Sequence, residues 1–536
     1  LNRIFLKNKK TQKVLNSLEQ KKNIKISGLS NSRMAFFIGN IFNKINNMIL
    51  LVTFDSYRID QIYEDLIRLI DEERILTFPQ LEILPHEQII SDYLTTRSRI
   101  RVMQECLYGN NENKIILTTG ESLLRKLMPA SIFKNYSFSL KVGEDIHLNK
   151  FTNDVSLLGY QREKKVEEPQ QFSVRGGIID IFPLTADNPY RIELFGDEID
   201  SIRLFDLGSQ RSIENIKKII IPPADEIMII PEKVNEKVPL IKRDYDKAKT
   251  RLQNIGYDEA AEYLEEKKQE NLEKLQEFNK FPGYEQFLPY FYKELDTFFD
   301  YLGDNSFIFF DQYKRTQKRM ENSLEEIQET QTSLLEQGSV IPTYLDNFVE
   351  IDEFKSEVKK FNGIYFTEEF YNIPLELNFE DYIFNTSGVE PYHGQLELLV
   401  ERIKKLIDQN YKVVITLETQ NKAKRIAEYF TDEDIPVAYS EDNVAQNQIT
   451  FIEGSFSEGF VIEDLELIIY TEKEVIGQPQ RKKRTMSDLD EGTKISSLNE
   501  LEVGDYVVHE NHGIGKYLGV ETLEVQGQHQ DYLVLR

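Results

Sequence analysis

Short apolar runs alternate with segments of helical periodicity between residues 23 and 129. Apolar residues recur at helical spacing from Ile59 to Ile70, which predicts an amphipathic helix there. Alternating strands and helices are typical of a mostly parallel, doubly wound sheet. The pattern predicts the first part of an α/β domain over residues 1–130, with strands at Ile24–Ser27, Met48–Phe54, Arg74–Phe78 and Lys114–Thr118.

Between residues 131 and 224 the pattern changes to short runs that alternate apolar and polar residues, separated by turn-forming residues. Such alternation is typical of antiparallel strands with one buried face. We therefore predict an antiparallel domain, residues 131–224, inserted after the first sheet unit. Its predicted strands are Gln171–Val174, Gly177–Ile181, Tyr190–Phe195, Ser201–Phe205 and Lys218–Ile221.

The second part of the first α/β domain is predicted over residues 225–345. Its segment 234–277 is rich in Glu, Lys and Gln with spaced Leu and Ala, a pattern typical of a solvated helical hairpin. A buried strand, Phe307–Phe310, and a charged helix, Lys314–Glu336, are predicted to follow.

The remainder of the chain is predicted to form a small α/β domain, a linker and a final β domain. The small α/β domain covers residues 346–475, the linker 476–497 and the final domain 498–536. Three strands are few for a small barrel, so we expect the final domain to be incomplete. Its predicted strands are Tyr506–His509, Gly515–Val525 and Tyr532–Leu535.

The charge of the chain limits its partners. Its 536 residues include 65 Lys and Arg against 91 Asp and Glu, which gives a net charge of −26. This acidity repels a phosphate backbone, so any contact with nucleic acid is expected to be local. The one dense basic run, Arg481–Arg484, lies in a polar stretch, and we favour a linker over a DNA-binding patch.

No apolar run approaches the roughly 18 residues that a membrane-spanning helix requires. The segment Leu1–Lys10 leads into no apolar stretch of the kind found in a secretory signal. Cys106 is the only cysteine, which excludes an internal disulfide and a cysteine-based zinc site. These features predict a cytoplasmic protein without a membrane contact.

The first predicted strand leads into a loop and an apolar helix, the context of a phosphate-binding loop. A working loop has the form G-x-x-x-x-G-K-[ST], in which Lys neutralises phosphate and the hydroxyl binds magnesium. Here Gly28 is present, but Arg33, Met34 and Ala35 occupy the other three positions. Methionine has no positive charge and alanine no magnesium ligand, so the loop is predicted to be degenerate.

The second half of such a site is an apolar strand that ends in Asp-Glu. The strand Phe307–Phe310 is followed by Asp311, but the next residue is Gln312, which cannot act as a base. A generic strand–glycine–helix junction would explain either half alone. Because both halves occur together, we favour a degenerate nucleotide site that binds no cofactor.

No other catalytic or metal-binding group emerges from the sequence. His509 and His512 lie close together, but they have no third ligand at metal-binding spacing, so a turn is the favoured interpretation. No serine lies in a G-x-S-x-G motif, and Cys106 is expected to be a packed thiol on the apolar face of a helix. We therefore predict no catalytic residue and no metal site.

Two long motifs resemble those of known repair proteins. The segments 172–183, FSVRGGIIDIFP, and 191–203, RIELFGDEIDSIR, resemble the second domain of the excision-repair protein UvrB and of bacterial transcription-repair coupling factors. The tyrosine-rich insertion and the functional nucleotide loop of UvrB have no counterpart here. Residues 501–519 resemble the start of the polymerase-interacting module shared by coupling factors and CarD-type regulators.

The resemblance implies the N-terminal part of a transcription-repair coupling factor (Mfd), cut inside the polymerase-interacting module. The implied fold is a degenerate P-loop NTPase-like, UvrB-type sheet domain with an inserted antiparallel domain, a second small α/β domain, and an incomplete SH3/Tudor-like β-barrel. The implied function is a non-catalytic adaptor in excision repair that binds UvrA and the β subunit of RNA polymerase. ATP, magnesium and double-stranded DNA would be bound by the family's motor domains, which are expected outside this chain.

The resemblance also places the binding residues. For UvrA they are Arg162 and Arg175, with Phe172 in the same motif, while Ser173 departs from an arginine found in UvrB. The alternative is that Arg175 only closes a turn. For polymerase the alternative is that the candidate side chains form the core of the barrel. The polymerase-binding candidates are Val507, Val508, His512, Ile514, Tyr517 and Leu518.

Two other functions remain open from the sequence. The first is a UvrB-type protein that binds damaged DNA in a nucleotide-dependent manner, which a lysine at position 34 would have favoured. The second is a stand-alone polymerase regulator, which would not bind UvrA. Binding assays with ATP and with UvrA distinguish these functions from the adaptor.

Overall fold

A computed structural model describes residues 2–81, 93–109, 113–229, 231–277, 281, 283–368, 372–439, 444–477, 506–509, 513–525 and 528–535. The chain divides into two compact units, Leu1–Gln478 and Pro479–Arg536. Among the described helices, none is both long enough and apolar enough to cross a lipid bilayer.

The helices of the described residues all belong to the first unit. In chain order they are α1 (Asn2–Lys7), α2 (Lys9–Glu19), α3 (Asn31–Phe42), α4 (Ser56–Leu66), α5 (Tyr93–Tyr108), α6 (Ala130–Asn135), α7 (Leu148–Leu157), α8 (Pro231–Asn254), α9 (Asp258–Glu277), α10 (Leu288–Phe291), α11 (Tyr313–Glu336), α12 (Ile351–Val358), α13 (Leu396–Asp408), α14 (Gln420–Asp432) and α15 (Glu472–Val475).

The strands occur in both units. In chain order they are β1 (Asn23–Ser27), β2 (Ile49–Thr53), β3 (Ile75–Phe78), β4 (Ile115–Thr119), β5 (Phe138–Lys141), β6 (Gln161–Arg162), β7 (Gln171–Arg175), β8 (Ile178–Ile181), β9 (Tyr190–Phe195), β10 (Glu198–Phe205), β11 (Ser212–Ile216), β12 (Lys218–Ile221), β13 (Phe307–Asp311), β14 (Asn362–Thr367), β15 (Phe379–Ile383), β16 (Thr386–Gly388), β17 (Lys412–Leu417), β18 (Val437–Tyr439), β19 (Ile449–Glu453), β20 (Phe460–Ile462), β21 (Leu467–Thr471), β22 (Tyr506–His509), β23 (Gly513–Val525) and β24 (Gln528–Leu535).

A seven-stranded sheet forms the centre of the first unit, with strand order β15-β1-β14-β13-β2-β4-β3. All its strand pairs are parallel, which confirms the large parallel sheet predicted from the apolar runs. Successive residues of β2 point to opposite sides, so Leu50 and Leu51 belong to different hydrophobic clusters. The sheet is therefore buried on both faces, as its continuous apolar runs require.

The predicted small α/β domain, residues 346–475, differs from the observed sheet organisation. Strand β14 lies between β1 and β13, and β15 forms the edge of the same seven-stranded sheet. The separate six-stranded sheet begins only at β16 and has the order β16-β20-β21-β17-β19-β18. Periodicity predicts where strands form, but it carries no information about which sheet β14 and β15 join.

A second six-stranded sheet, with order β11-β10-β9-β8-β7-β6, forms the inserted antiparallel region. Strands β7 to β10 confirm the predicted alternation, whereas β6 and β11 were not predicted. The predicted strand Lys218–Ile221 is present as β12, but it pairs antiparallel with β5 in a separate two-stranded sheet. Both strands of that pair contribute buried residues, Leu140 and Ile219, to the same hydrophobic cluster as the antiparallel sheet.

The unit Pro479–Arg536 contains a three-stranded antiparallel sheet in the order β22-β23-β24. Its strands overlap the three predicted ones, with β23 and β24 beginning earlier than expected. The basic run Arg481–Arg484 lies outside the described residues.

Candidate functional site

The inserted antiparallel sheet has one apolar and one charged face. Phe172 on β7, Ile179 on β8 and Ile192 on β9 are fully buried on the inner face. Because side chains alternate along a strand, the intervening residues lie on the opposite face. The register aligns the charged residues across neighbouring strands. We call this outer surface the arginine face, and it contains Arg175, Asp180, Arg191, Glu193 and Arg203.

Asp180 is the electrostatic centre of the arginine face and is almost fully buried. Arg191 donates from Nε to Asp180 Oδ1 at 2.7 Å and from Nη2 to Oδ2 at 2.9 Å. Its hydrogen bond with Asp180 raises the pKa of Arg191, and its guanidinium lies 4.4 Å from the ring centre of Phe205. Arg191 is therefore held rigidly by a bidentate pair and an aromatic ring.

Arg175 shares the same carboxylate but remains accessible. Its Nη2 donates to Asp180 Oδ2 at 2.6 Å, while 53% of its side chain is exposed. The adjoining turn is made by Gly176, whose φ of +62° favours glycine. The Arg175 side chain thus bonds across the strands to Asp180 and presents its remaining N–H groups to solvent, a geometry suited to a carboxylate of a partner.

Three exposed apolar side chains accompany the arginines. Phe195 at the end of β9 is 84% exposed, Ile213 on β11 is 55% exposed and Ile178 on β8 is 36% exposed. Phe195 lies two and four residues after Glu193 and Arg191, and therefore on the same face of the strand. Sequence reasoning missed Phe195, although this spacing from the charged residues was a signal that could have found it.

Of the predicted UvrA-binding residues, Arg162 is exposed to solvent and Phe172 is buried. Arg162 is exposed on β6 and pairs in register with Phe172 on β7. Phe172 itself is fully buried in the core, so its side chain does not reach the surface of the sheet. Ser173 is also buried, and its hydroxyl has no hydrogen-bond partner within the described ranges. The accessible part of the predicted set is Arg162 and Arg175.

The degenerate nucleotide loop, residues 28–35, is filled by the chain itself. Gly28 has a φ of +90°, and a Cβ atom there would lie 2.0 Å from the carbonyl oxygen of Phe384. Arg33 donates to Ser30 Oγ at 3.0 Å and to Thr386 Oγ1 at 3.2 Å. Met34 and Ala35 are fully buried in the helix core. The positions that would bind phosphate and magnesium therefore face protein.

At the second half of the predicted nucleotide site, Asp311 forms an internal ion pair with Arg58. Asp311 accepts from Arg58 Nε at 3.0 Å and from Arg58 Nη2 at 2.8 Å, and both residues are buried. Burial raises the pKa of Asp311, and the charge of Arg58 opposes that shift. Gln312 adopts a left-handed conformation with φ of +59°, and its N–H donates to Phe366 O.

Arg58 also joins the two halves, because its Nη1 donates to Asn31 Oδ1 in the degenerate loop. The structure thus brings the predicted loop and the predicted Asp311 together. Sequence reasoning missed Arg58, since a single arginine in the first turn of α4 carries no recognisable motif.

The polymerase-binding candidates are only partly described. Val507, Val508, Ile514 and Leu518 lie in β22 and β23, and His512 lies outside the described residues. Tyr517 on β23 is 5% exposed and pairs with Leu535 on β24. Its burial agrees with the alternative that some of these side chains belong to the core of the sheet.

Neither the cysteine thiol nor the described metal-ligating residue types form a further candidate site. Cys106 donates to Met48 Sδ at 3.7 Å, and burial raises the pKa of its thiol. Across the described ranges, no group of three His, Cys, Asp or Glu residues is arranged to bind a metal ion.

Comparison with known proteins gives the class of each region. Residues 138–227 match the UvrB interaction domain family, and residues 501–536 match the CarD-like/TRCF RID domain family. The first match contains the whole arginine face. The second contains all three strands of the C-terminal sheet. The chain therefore combines a repair-protein interaction domain with a domain of the CarD-like class.

Relatives that match along the chain carry one common name. The transcription-repair-coupling factor of Bacillus subtilis (strain 168) is 32% identical over 515 residues, which cover 95% of this chain and 43% of the relative. That of Staphylococcus aureus (strain USA300) is 31% identical over 526 residues, which cover 97% and 44%. Along nearly its whole length the chain is therefore similar to transcription-repair-coupling factors, and it spans less than half the length of these relatives.

Among solved structures, the chain matches that of S. tokodaii Xpd4. The match covers 83% of this chain and 79% of the Xpd4 chain, with 8% sequence identity and a TM-score of 0.21. A likeness this low supports no inference about this protein.

Proposed function

We propose that the protein is a non-catalytic adaptor in transcription-coupled excision repair. It binds UvrA through the arginine face and contacts the β subunit of RNA polymerase through Pro479–Arg536. The observation that supports the first contact is the half-exposed Arg175, which is fixed by buried Asp180 beside the exposed Phe195. Arginine and aromatic residues on a rigid support are common anchors of protein interfaces.

The geometry also defines what UvrA must supply. The unused edge of the Arg175 guanidinium pairs with a carboxylate, because its planar fork matches two carboxylate oxygens. Phe195 requires an apolar recess, since burial of its exposed ring releases water from a large apolar surface. Glu193 and Arg203, which form an ion pair on the same face, contribute polar contacts at the rim.

The contact with UvrA is tested by calorimetric titration of Arg175→Glu. We expect at least a tenfold loss of affinity, about 1.4 kcal/mol, because the reversed charge repels the partner's carboxylate. Lys150→Glu is the matched control: Lys150 is exposed on α7, whose Phe151 and Val155 pack in the cluster of the inner face. Unchanged affinity for Arg175→Glu would remove this residue from the interface.

The contact with polymerase is assigned to the three-stranded sheet. Exposed strand edges and apolar strand residues are a common means of binding a partner by strand addition. A pull-down of the polymerase β subunit is expected to weaken with Ile514→Glu. A Tyr517→Phe control keeps the buried ring and should bind as the unmodified chain does. Equal binding by all three chains would argue against a contact at Ile514.

We further propose that this chain neither binds nor hydrolyses ATP. The buried Arg58–Asp311 pair and the filled loop support this proposal. Calorimetric titration with ATP and magnesium should give no binding heat, whereas micromolar affinity would favour the UvrB-type alternative. ATP-driven movement on double-stranded DNA is assigned to motor domains of the longer family members.

A further inference from the structure

The degenerate nucleotide loop is in contact with a distant turn of the chain. Residues 455–458, between β19 and β20, lie against the first turn of α3 and against α4. The Glu458 amide donates to Ser32 Oγ at 3.2 Å, and the Ser457 amide donates to Asp65 Oδ1 at 2.7 Å. Ser32 and Asp65 are almost fully buried. The turn therefore donates one backbone hydrogen bond to each of these two buried side chains.

The charge of Glu458 suits the place it occupies. One of its carboxylate oxygens lies 4.0 Å from Arg33 Nη2, in the first turn of α3. The N-terminus of a helix favours anions because its amide groups and its dipole carry partial positive charge. The turn thus brings an anionic side chain to the end of a helix where a phosphate-binding loop would hold phosphate.

Apolar contacts continue the same interface. The ring of Phe36 on α3 packs against Phe456, with ring centres 5.9 Å apart, and against Phe460, with ring centres 5.4 Å apart. Both contacts belong to a hydrophobic cluster that includes residues of the seven-stranded sheet and of β20 and β21. The two sheets therefore share part of one core at this point.

A second strand segment fixes the loop from the other side. The Phe384 amide donates to Ser27 O at 2.9 Å, and Thr386 Oγ1 donates to Gly28 O. Thr386 begins β16, so the contact ties the degenerate loop to the six-stranded α/β sheet. Any side chain at position 28 would strike the Phe384 carbonyl.

We propose that the degenerate nucleotide loop is an intramolecular docking site whose ligand is the turn 455–458. We call this contact the dock, formed by Ser32, Arg33 and Asp65 with Ser457 and Glu458. The dock couples the seven-stranded sheet to the six-stranded α/β sheet, so that the two unfold together. A loop that in working nucleotide-binding proteins receives phosphate here receives an acidic turn of its own chain.

Hydrogen exchange measured on the full chain by mass spectrometry or NMR tests the dock. In Ser32→Ala, which removes only the acceptor hydroxyl, the Glu458 amide should exchange at least tenfold faster. Asp65→Ala should have the same effect on the Ser457 amide, whereas Asp65→Asn keeps an acceptor oxygen and should retain most of the protection. Ser209→Ala, in an exposed turn, is the matched control. Unchanged exchange of both amides in the alanine variants would overturn the proposal.

Coupling between the sheets requires a second measurement. Urea unfolding of the unmodified chain, followed by exchange in β13 and β17, should show one midpoint for both strands. In the double variant Ser32→Ala/Asp65→Ala the midpoint of β17 should fall below that of β13. A common midpoint in the double variant, or separate midpoints in the unmodified chain, would contradict coupling through the dock. These readouts involve neither UvrA nor polymerase, so their failure is distinguishable from failure of the proposed function.

Discussion

Two buried carboxylates near the predicted nucleotide loop, Asp311 and Asp65, have different partners. Arg58 in the first turn of α4 and Asp311 at the end of β13 form an ion pair in the interior. Asp65, by contrast, is a buried carboxylate that accepts a backbone amide, and burial raises its pKa to about 6. The ionised form of Asp311 is stabilised by the opposite charge of Arg58. The ionised form of Asp65 is destabilised by burial.

The buried ion pair gives a prediction for stability. Arg58→Ala should lower the free energy of unfolding by about 3 to 5 kcal/mol, because it leaves Asp311 buried without its partner. The double variant Arg58→Met/Asp311→Leu should recover most of this loss, since it buries no charge. Urea denaturation of the single and double variants measures the difference. A double variant as unstable as Arg58→Ala would show that packing, and not charge, is responsible.

Asp65 gives a prediction for pH dependence. The pKa of Asp65 is about 6 in the folded state against 3.8 as its ordinary value, so the folded state binds the proton more tightly. The contribution of this group therefore favours folding below pH 4 and is lost as pH rises through 6. Between pH 4 and pH 7 this loss amounts to about 3 kcal/mol of the free energy of unfolding, and Asp65→Asn should remove it.

Urea denaturation at pH 4.5, 5.5 and 7 measures the effect of Asp65→Asn. Asp200→Asn, at an exposed position on β10, is the control for a change of charge alone. An identical pH slope for Asp65→Asn and the unmodified chain would mean that Asp65 titrates normally.

At the scale of elements, the β9–β10 hairpin has buried side chains that stabilise the core and one exposed aromatic ring. Its inner residues Ile192 and Ile199 are buried in the core, while Phe195 projects from the end of the strand beside Gly196. Gly196 adopts a φ of +66°, and nothing lies within 4 Å of the position its Cβ would take. The hairpin therefore exposes an aromatic ring that contributes little to the fold.

Phe195→Ser is expected to leave the free energy of unfolding within about 0.5 kcal/mol of the unmodified value, because the ring is already exposed. Under the proposed function, its affinity for UvrA should fall at least tenfold. Thermal unfolding and calorimetric titration measure the two quantities. Tyr57→Ser, which removes a ring that is 62% exposed on α4, is the matched control. A stable Phe195→Ser variant with full affinity would exclude the ring from the interface.

At the scale of the whole molecule, the two compact units carry different candidate surfaces. The arginine face belongs to Leu1–Gln478 and the three-stranded sheet to Pro479–Arg536. The net charge of −26 is typical of neither a general DNA-binding surface nor a membrane-bound one. Protein partners agree better with this acidity of the chain than a phosphate backbone does.

Separate surfaces predict independent binding. Arg175→Glu should weaken UvrA binding and leave polymerase pull-down unchanged, and Ile514→Glu should do the reverse. Mutations at sites without shared partners have additive effects, so the double variant should show both losses and no further change. Loss of polymerase binding in Arg175→Glu would indicate that the two surfaces are energetically coupled.

Much of the local structure followed from the sequence, and the reason is periodicity. Apolar runs predicted β1 to β4, and alternation predicted β7 to β10, because burial of one or both faces of a strand leaves a direct trace in residue order. The charged helices α9 and α11 followed in the same way. The motif at residues 172–183 led to Arg175, but the exposed Phe195 at the end of β9 was not recognised as part of the same face.

Residue order by itself determined the elements of this protein, the loss of the nucleotide motif and the family resemblance. The tertiary structure decided which sheet β14 and β15 join, that Arg58 pairs with Asp311, and that the turn 455–458 donates hydrogen bonds to Ser32 and Asp65. The physical reason is range. Periodicity reflects the burial of neighbouring residues, whereas β1 pairs with β14 across more than 300 residues, and Ser32 meets Glu458 across more than 400. Such contacts depend on which strand edges and helix ends remain free once the local elements have packed.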